Sequence, residues 1–449
     1  MSEYVAAIDF GSAKVALAIG ERTPSGIRIV SYHDAPSAGI ECGEITNDSK
    51  VEEIVRSLVE QAQADISETI TDVTVGISAK QLHNRKVTCS PKRKNPKTPV
   101  SPEEIQQIIR SQYQSPDKGE TIFEVSPQSF STEDRIGITQ EELIGMEGSQ
   151  IDADFLLFSG RKAVLERRLS VTERCGLHLQ KAILTPIASA RAVLSKNEME
   201  NGVALVDIGK GTTEVAIVKD NIVRHAAIIP FGGESITGDI KTVTGISRHW
   251  AEIVKVQHGR CCEEYAVENR KLILKDENDV VEGEVEMTLL ARIIEARMSE
   301  ILEAVRYIIE QAGYWEKIPA GIVITGGTSH LENIIQLAGA FLGQRIRLTA
   351  PQGSITNDSV EAAFDVYSST AVGLVLETID PMLSHAMERN VEIQPVQSPV
   401  EIQQLQPEET PLTPKKPRRG LFGRHKDPQD NDGPDLFTQL FGFSDDDKA

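Results

Sequence analysis

The sequence is poor in cysteine and holds no long apolar run. Five cysteines, Cys42, Cys89, Cys175, Cys261 and Cys262, occur in 449 residues, and no two stand in CxxC spacing. That excludes a disulfide framework or a zinc knuckle and suits a reducing compartment. No apolar stretch approaches the ~18 residues of a bilayer-crossing helix. The N-terminus lacks the basic and apolar segments of a secretion signal. No GxxxxGK[ST] loop is present, which disfavours P-loop chemistry, and no strand–GxGxxG–helix unit offers a dinucleotide site. Positive charge is also short, with 47 Lys and Arg against 67 Asp and Glu and a formal net charge of -20. Such a surface does not coat nucleic acid, although it leaves room for a local basic patch.

What remains is a chain of ordinary globular composition, 40% hydrophobic and 25% charged. Its length predicts two to four folded units at roughly 150 residues each. Tyr4 to Phe10, Val15 to Ile19 and Ile27 to Tyr32 read as strands, the last two joined by the Thr23-Pro24-Ser25-Gly26 turn. Val51 to Ile66 switches to helical spacing. After His83 the composition changes, and Ser90 to Pro102 carries four prolines and four basic residues. Ser101 is placed to cap a helix from Pro102, with Glu104 in the reciprocal capping position. Residues 120–158 read as short strands and turns, and 84–159 as a small inserted domain. A helix is expected over Lys162 to Cys175, and a long one over about Val285 to Gln311. Residues 391–417, rich in Pro, Gln and Glu, read as a flexible linker.

Three glycine turns carry the chemistry. Asp9-Phe10-Gly11-Ser12-Ala13-Lys14 ends the first strand, where Gly11 permits close backbone approach and Ser12 with its neighbouring amides could hold phosphate oxygens. Asp207-Ile208-Gly209-Lys210-Gly211-Thr212-Thr213-Glu214 repeats the pattern after the apolar run Val203 to Ile208. An acid ending a buried strand is costly unless hydrogen-bonded or near a cation. Two such turns facing each other would clamp phosphate and magnesium, with Asp9 and Asp207 reaching the metal through water. Gly326-Gly327-Thr328-Ser329 follows a third apolar strand, where glycine lets a flat base lie on backbone.

These segments resemble the actin-like ATPase superfamily and, within it, the FtsA family of bacterial cell-division proteins. The further matches are Val125 to Phe130, Lys255-Val256-Gln257-His258-Gly259 and Tyr367 to Leu374, and the similarity covers about residues 4–376. The resemblance implies an α/β, actin-like (ribonuclease H-like, duplicated) two-lobed fold with an FtsA-type 1C insertion. It implies subdomain 1A at 1–83 with 160–200 and 365–380, 1C at 84–159, 2A at 201–242 with 311–364, and 2B at 243–310. Residues 381–449 would form linker, basic island and amphipathic tail. It implies that ATP and Mg2+ meet Asp9, Gly11, Ser12, Lys14, Asp207, Gly209, Lys210, Gly211, Thr212, Thr213, Gly326, Gly327 and Thr328. It also implies a homopolymer, docking of the FtsZ C-terminal peptide near Arg292, Arg297 and Arg306, and other divisome partners through 1C. The location would be the cytoplasmic face of the inner membrane at the division site. A pilus or secretion scaffold and a small-molecule kinase of the same superfamily are the alternatives.

The chain departs from the family pattern at Lys210, where glycine is usual, and at Glu214, where aspartate is usual. Thr185-Pro186 stands where filament relatives carry a catalytic glutamate, and threonine is no general base near neutral pH. Tight nucleotide binding with slow hydrolysis is therefore expected, and no catalytic residue is assigned. In the tail, Leu436, Phe437, Leu440, Phe441 and Phe443 fall largely on one side of a helix. They suit a membrane surface, aided by the basic residues between Lys415 and Lys426, or a protein partner. Removing residues 415–449 is expected to abolish co-sedimentation with anionic liposomes, and unchanged association would defeat the membrane reading.

Overall fold

The computed structural model describes residues 4–114, 116–266 and 270–386. Two five-stranded sheets share one topology. In the first, Gly26–Pro36, Lys14–Thr23 and Val5–Phe10 run antiparallel, and Asp72–Ile77 and His178–Leu184 add in parallel. In the second, Ile222–Ile229, Thr213–Lys219 and Val203–Ile208 run antiparallel, and Ile322–Thr325 and Ile346–Leu348 add in parallel. The expected internal duplication thus extends to whole sheets. The leading hairpins close on the pairs Phe10↔Val15 and Ile208↔Thr213, so residues 11–14 and 209–212 form turns of equal length. Asp9 stands opposite Ala16 where Asp207 stands opposite Glu214.

Burial explains why these segments are strands. Every residue of Val203–Ile208 is buried, as a central strand covered on both faces requires. The helix Asp48–Ile66 covers the first sheet with Val51, Val55, Leu58, Val59 and Ala62, and Asn47 caps it by accepting from Lys50 N at 3.2 Å. Thr185–Val193 and Ser369–Ile379 bury Ile187, Ala188, Val372 and Leu376 in a core shared with Leu205, Ala216 and Val218 of the second sheet. This core therefore reaches both sheets. The other face of the second sheet is covered by Gly233–Thr244, Arg248–His258 and the long helix Met287–Gln311.

Between His83 and Arg161 the chain builds a separate three-stranded antiparallel sheet, His83–Cys89, Asp152–Arg161 and Glu120–Ser131, with its own core under helix Pro102–Gln112. Two expectations are corrected here. Residues 120–158 hold two long strands rather than short ones, because register shifts at Ile122/Glu124 and Pro127/Ser129 absorb the proline. Ser101 does cap its helix, but Glu104 does not reciprocate, since Arg93 takes both carboxylate oxygens at 2.8 and 2.9 Å. A charge-assisted pair outcompetes one backbone amide. The helices at 162 and 287 lie within two residues of the expected bounds.

One buried cation ties the first lobe together. Arg168, on Lys162–Arg174, is 1% exposed and donates to Gly76 O at 2.8 Å, Gly43 O at 2.7 Å, Val164 O at 3.0 Å and Ser78 O at 3.3 Å. Burial pulls its basicity down to about 10, so it stays charged at neutral pH. Arg168→Met keeps much of the volume but orphans buried carbonyls, each costing about 1–3 kcal/mol. Urea unfolding is expected to show a loss of about 3 kcal/mol or more, and a loss below about 1 kcal/mol would contradict this account.

Candidate functional site

The two leading hairpins point their turns at each other across a cavity of about 610 Å³. Asp9, Gly11, Ser12 and Lys14 line it from the first sheet. Asp207, Gly209, Lys210, Gly211, Thr212 and Glu214 line it from the second, and Gly326, Gly327 and Thr328 close a third side. The sheets meet closely here, because a Cβ on Gly211 would lie 2.6 Å from Ser12 Oγ. Gly43 N donates to that same Oγ at 3.0 Å, and Thr328 Oγ1 donates to Gly209 O at 2.8 Å. Gly326 has a φ of 91°, and a Cβ there would collide with Asp207 Oδ1.

Of the thirteen residues expected around the nucleotide, twelve line this cavity, and Thr213 does not. Thr213 begins its strand fully buried and donates from Oγ1 to Phe231 O at 2.9 Å. Strand alternation turns its side chain away from the neighbouring Thr212. Thr185, expected at the catalytic-glutamate position, lines the cavity, as do Ser78, Glu252, Lys255, Tyr367 and Thr370, to which the sequence alone gave no site role. Glu252 and Lys255 lie three residues apart on one helix, a spacing that would have revealed them as a shared face. Lys255 Nζ reaches Glu252 Oε2 and Thr237 Oγ1 at 2.8 Å and Gly233 O at 3.0 Å.

Three carboxyls stand at the cavity floor with little compensation. Burial first, then the Asp207 carboxylate, pushes Asp9 up to about 7 against the pull of Lys14 and Arg168. Burial and the same neighbour push Glu214 up to about 8, although Ser78 Oγ donates to it at 2.8 Å. Asp207 is raised by burial and relieved by donation from Ser189 Oγ at 2.7 Å and the Thr370 hydroxyl. The cationic side chains are engaged elsewhere. Lys14 Nζ bonds Tyr32 Oη at 2.6 Å and Asp34 Oδ2 at 2.7 Å and sits 3.7 Å from the Tyr367 ring centre. Lys210 Nζ lies 3.5 Å from Glu234 Oε2. A floor of this kind fits a divalent cation. Among the described residues no group of three or more His, Cys, Asp or Glu is placed to hold a metal ion.

The three arginines expected at a docking surface each pair with acids of this chain. Arg292 pairs with Glu263, its Nε lying 3.0 Å from Oε2; Arg297 pairs with Asp239 and Glu300; and Arg306 pairs with Glu310 beneath the Trp315 ring. Arg297 lies about 140° round the helix from Arg292, since each residue advances ~100°. Arg306, fourteen residues beyond Arg292, returns to within about 40° of it, so those two share a face of the helix that Arg297 does not. The tail residues Leu436, Phe437, Leu440, Phe441 and Phe443 and the basic island lie outside the described residues. No described helix is long and apolar enough to cross a membrane.

Comparison with known proteins gives concordant results. The family model described as Cell division protein FtsA matches residues 204–373. The Cell division protein FtsA of Neisseria meningitidis serogroup B is 30% identical over 379 residues, 83% of this chain and 89% of that protein. That of Escherichia coli K12 is 28% identical over 387 residues, covering 83% and 90%. That of Bacillus subtilis 168 is 29% identical over 359 residues, covering 78% and 79%. Among solved structures, a chain of the PilM-PilN type IV pilus biogenesis complex superposes with a TM-score of 0.60 at 14% identity, over 84% of this chain and 99% of that one. The fold is the actin-like ATPase fold.

The raised carboxyls carry a stability signature. Each binds its proton more tightly in the folded chain, so its contribution is full below about pH 4 and is lost as pH rises through about 7 for Asp9 and about 8 for Glu214. In chelator, Asp9→Asn is expected to match the unaltered protein at acidic pH and to become the more stable of the two towards pH ~8.5. A difference in urea midpoint that does not change with pH would contradict the buried-charge account.

Proposed function

The chain belongs to the FtsA family of cell-division proteins, and from that premise we propose that it binds Mg·ATP in the cleft, polymerises, and tethers the FtsZ ring to the inner membrane. The observation that carries the nucleotide reading is the convergence of two duplicated, acid-ended hairpins on one cavity closed by a third glycine turn. Amides of the Gly11–Ser12 and Gly209–Thr212 turns would hold phosphate oxygens, with Ser12 and Thr212 adding hydroxyl donors. Asp9 and Asp207 would accept from metal-bound waters, and Glu214 would join them as the longer arm. The cation would supply positive charge to the phosphates. Lys210 would contribute a second positive charge at the same end. Gly326 and Gly327 would receive the base, with Glu252 and Lys255 offering an acceptor and a donor to the sugar hydroxyls beside Thr328.

Thr185 opens its helix at the cavity wall, where its hydroxyl donates to Ile77 O at 3.2 Å and no base is provided. Hydrolysis is therefore slow in this reading, and nucleotide state acts through closure of the two lobes. Subdomains 1A, 1C, 2A and 2B take the bounds expected above. Lobe 2B would receive the FtsZ C-terminal peptide, 1C other divisome proteins and neighbouring subunits, and the tail the cytoplasmic face of the membrane. Absence of a described crossing helix is compatible with a peripheral attachment.

Calorimetric titration of the full chain should show magnesium-dependent ATP affinity that Asp207→Ala removes. No affinity in well-folded protein would end the nucleotide reading, and phosphate release well above about one per second would end the slow-hydrolysis reading. In the same cell an FtsZ C-terminal peptide should bind. Failure at about 1 mM peptide would count against the tether while leaving nucleotide binding intact.

A further inference from the structure

Away from the cleft, two buried carboxylates grip the chain as it leaves the first lobe. Glu377, 1% exposed on Ser369–Ile379, accepts from the amides of Met382, Leu383 and Ser384, each at 3.0 Å. Glu124, fully buried on the inserted strand Glu120–Ser131, accepts from Ser384 Oγ at 2.5 Å, His385 N at 2.7 Å and Val125 N at 3.2 Å. Tyr113, at the end of Pro102–Gln112, donates from Oη to His385 O at 3.0 Å. Four consecutive amides, 382 to 385, are thus held by side chains from two separate parts of the fold. Leu383, 2% exposed, inserts into the first-lobe core between them.

An ordinary exit from a domain needs none of this, since connecting chain lies on the surface and bonds to water. Burial pushes both carboxyls upward, and the Glu377 charge raises Glu124 further. Only the donors of the exit segment make the arrangement tolerable. Arg191 Nε, 3.6 Å from Glu377 Oε1, is the nearby counter-charge, and it makes no hydrogen bond of its own. Removing residues 382–385 would leave Glu377 without its amide donors and Glu124 with Val125 N alone. Removing Glu124 would orphan His385 N and the Ser384 hydroxyl. Each side is therefore costly without the other, which makes their formation cooperative.

We propose that residues 381–386 form a strap that locks the inserted three-stranded sheet onto the first lobe, so that seating of that sheet and anchorage of the departing chain are one two-state event. Load applied to the strap then reaches the inserted sheet through Glu124 and the helix Ser369–Ile379 through Glu377. By reciprocity, whatever binds the inserted sheet tightens or loosens the strap by the same factor.

Hydrogen exchange on the full chain, a chain ending at Ala386 and a chain ending at Asp380 tests the proposal. The first two should give equal protection. The third should exchange at least about tenfold faster in Glu120–Ser131 and Pro102–Gln112, with Val203–Ile208 unchanged. The milder variant Glu124→Gln keeps the strap in place. It should speed exchange at Met382 and Leu383, whose amides Glu377 holds, by about fivefold or more. Unchanged protection of the inserted sheet on truncation, equal acceleration in the second lobe, or unchanged Met382 and Leu383 in Glu124→Gln would each overturn it.

Discussion

Repulsion among Asp9, Asp207 and Glu214 is the constraint around which the rest of the molecule is arranged. Three carboxyls in one buried floor are unfavourable in any fold that gains nothing from them. Here the duplicated hairpins bring them together because the hydrogen-bond register leaves no alternative. Asp9 and Asp207 end equivalent strands, and Glu214 faces Asp207 across its own hairpin. The surrounding groups then share the burden. Ser78, Ser189 and Thr370 donate hydroxyls, and Arg168 holds the carbonyls of the neighbouring turns while adding a positive field. What they leave uncompensated is negative charge facing the cavity.

The closeness of the two sheets follows from the same arrangement. Gly211 meets Ser12 across the cleft, and the crossing helices at 185 and 369 belong to a core that touches both sheets. Movement of one lobe against the other must alter these contacts before it alters either sheet. The cleft is consequently the place where the two sheets come into direct contact.

A second buried acidic pair performs an analogous task at the edge of the first lobe. Glu124 and Glu377 lie far apart in sequence and are both engaged by the amides of the exit segment, with Arg191 beside Glu377. In both places like charges are made tolerable by donors supplied from another part of the chain. Both therefore report on whether two parts of the fold are correctly joined. The inserted sheet has its own core, and its Phe123, Leu156 and Phe158 also enter the first-lobe core, so this junction adds to an apolar seat.

Local chemistry was readable from the chain alone. Apolar runs ending in Asp, with glycine two positions on, marked the hairpins at 9 and 207, and helical spacing marked 51–66 and about 285–311. These features depend on neighbouring residues, so sequence order preserves them. Three-dimensional contacts decided the remainder. Thr213 turned away by strand alternation, Glu104 chose Arg93, and Arg292, Arg297 and Arg306 each found a separate acid. The strap joins residues from 113 to 385, and no periodicity encodes a hydrogen bond across that distance. Which polar groups share a buried site depends on how the sheets stack, and that is settled only when the cores close.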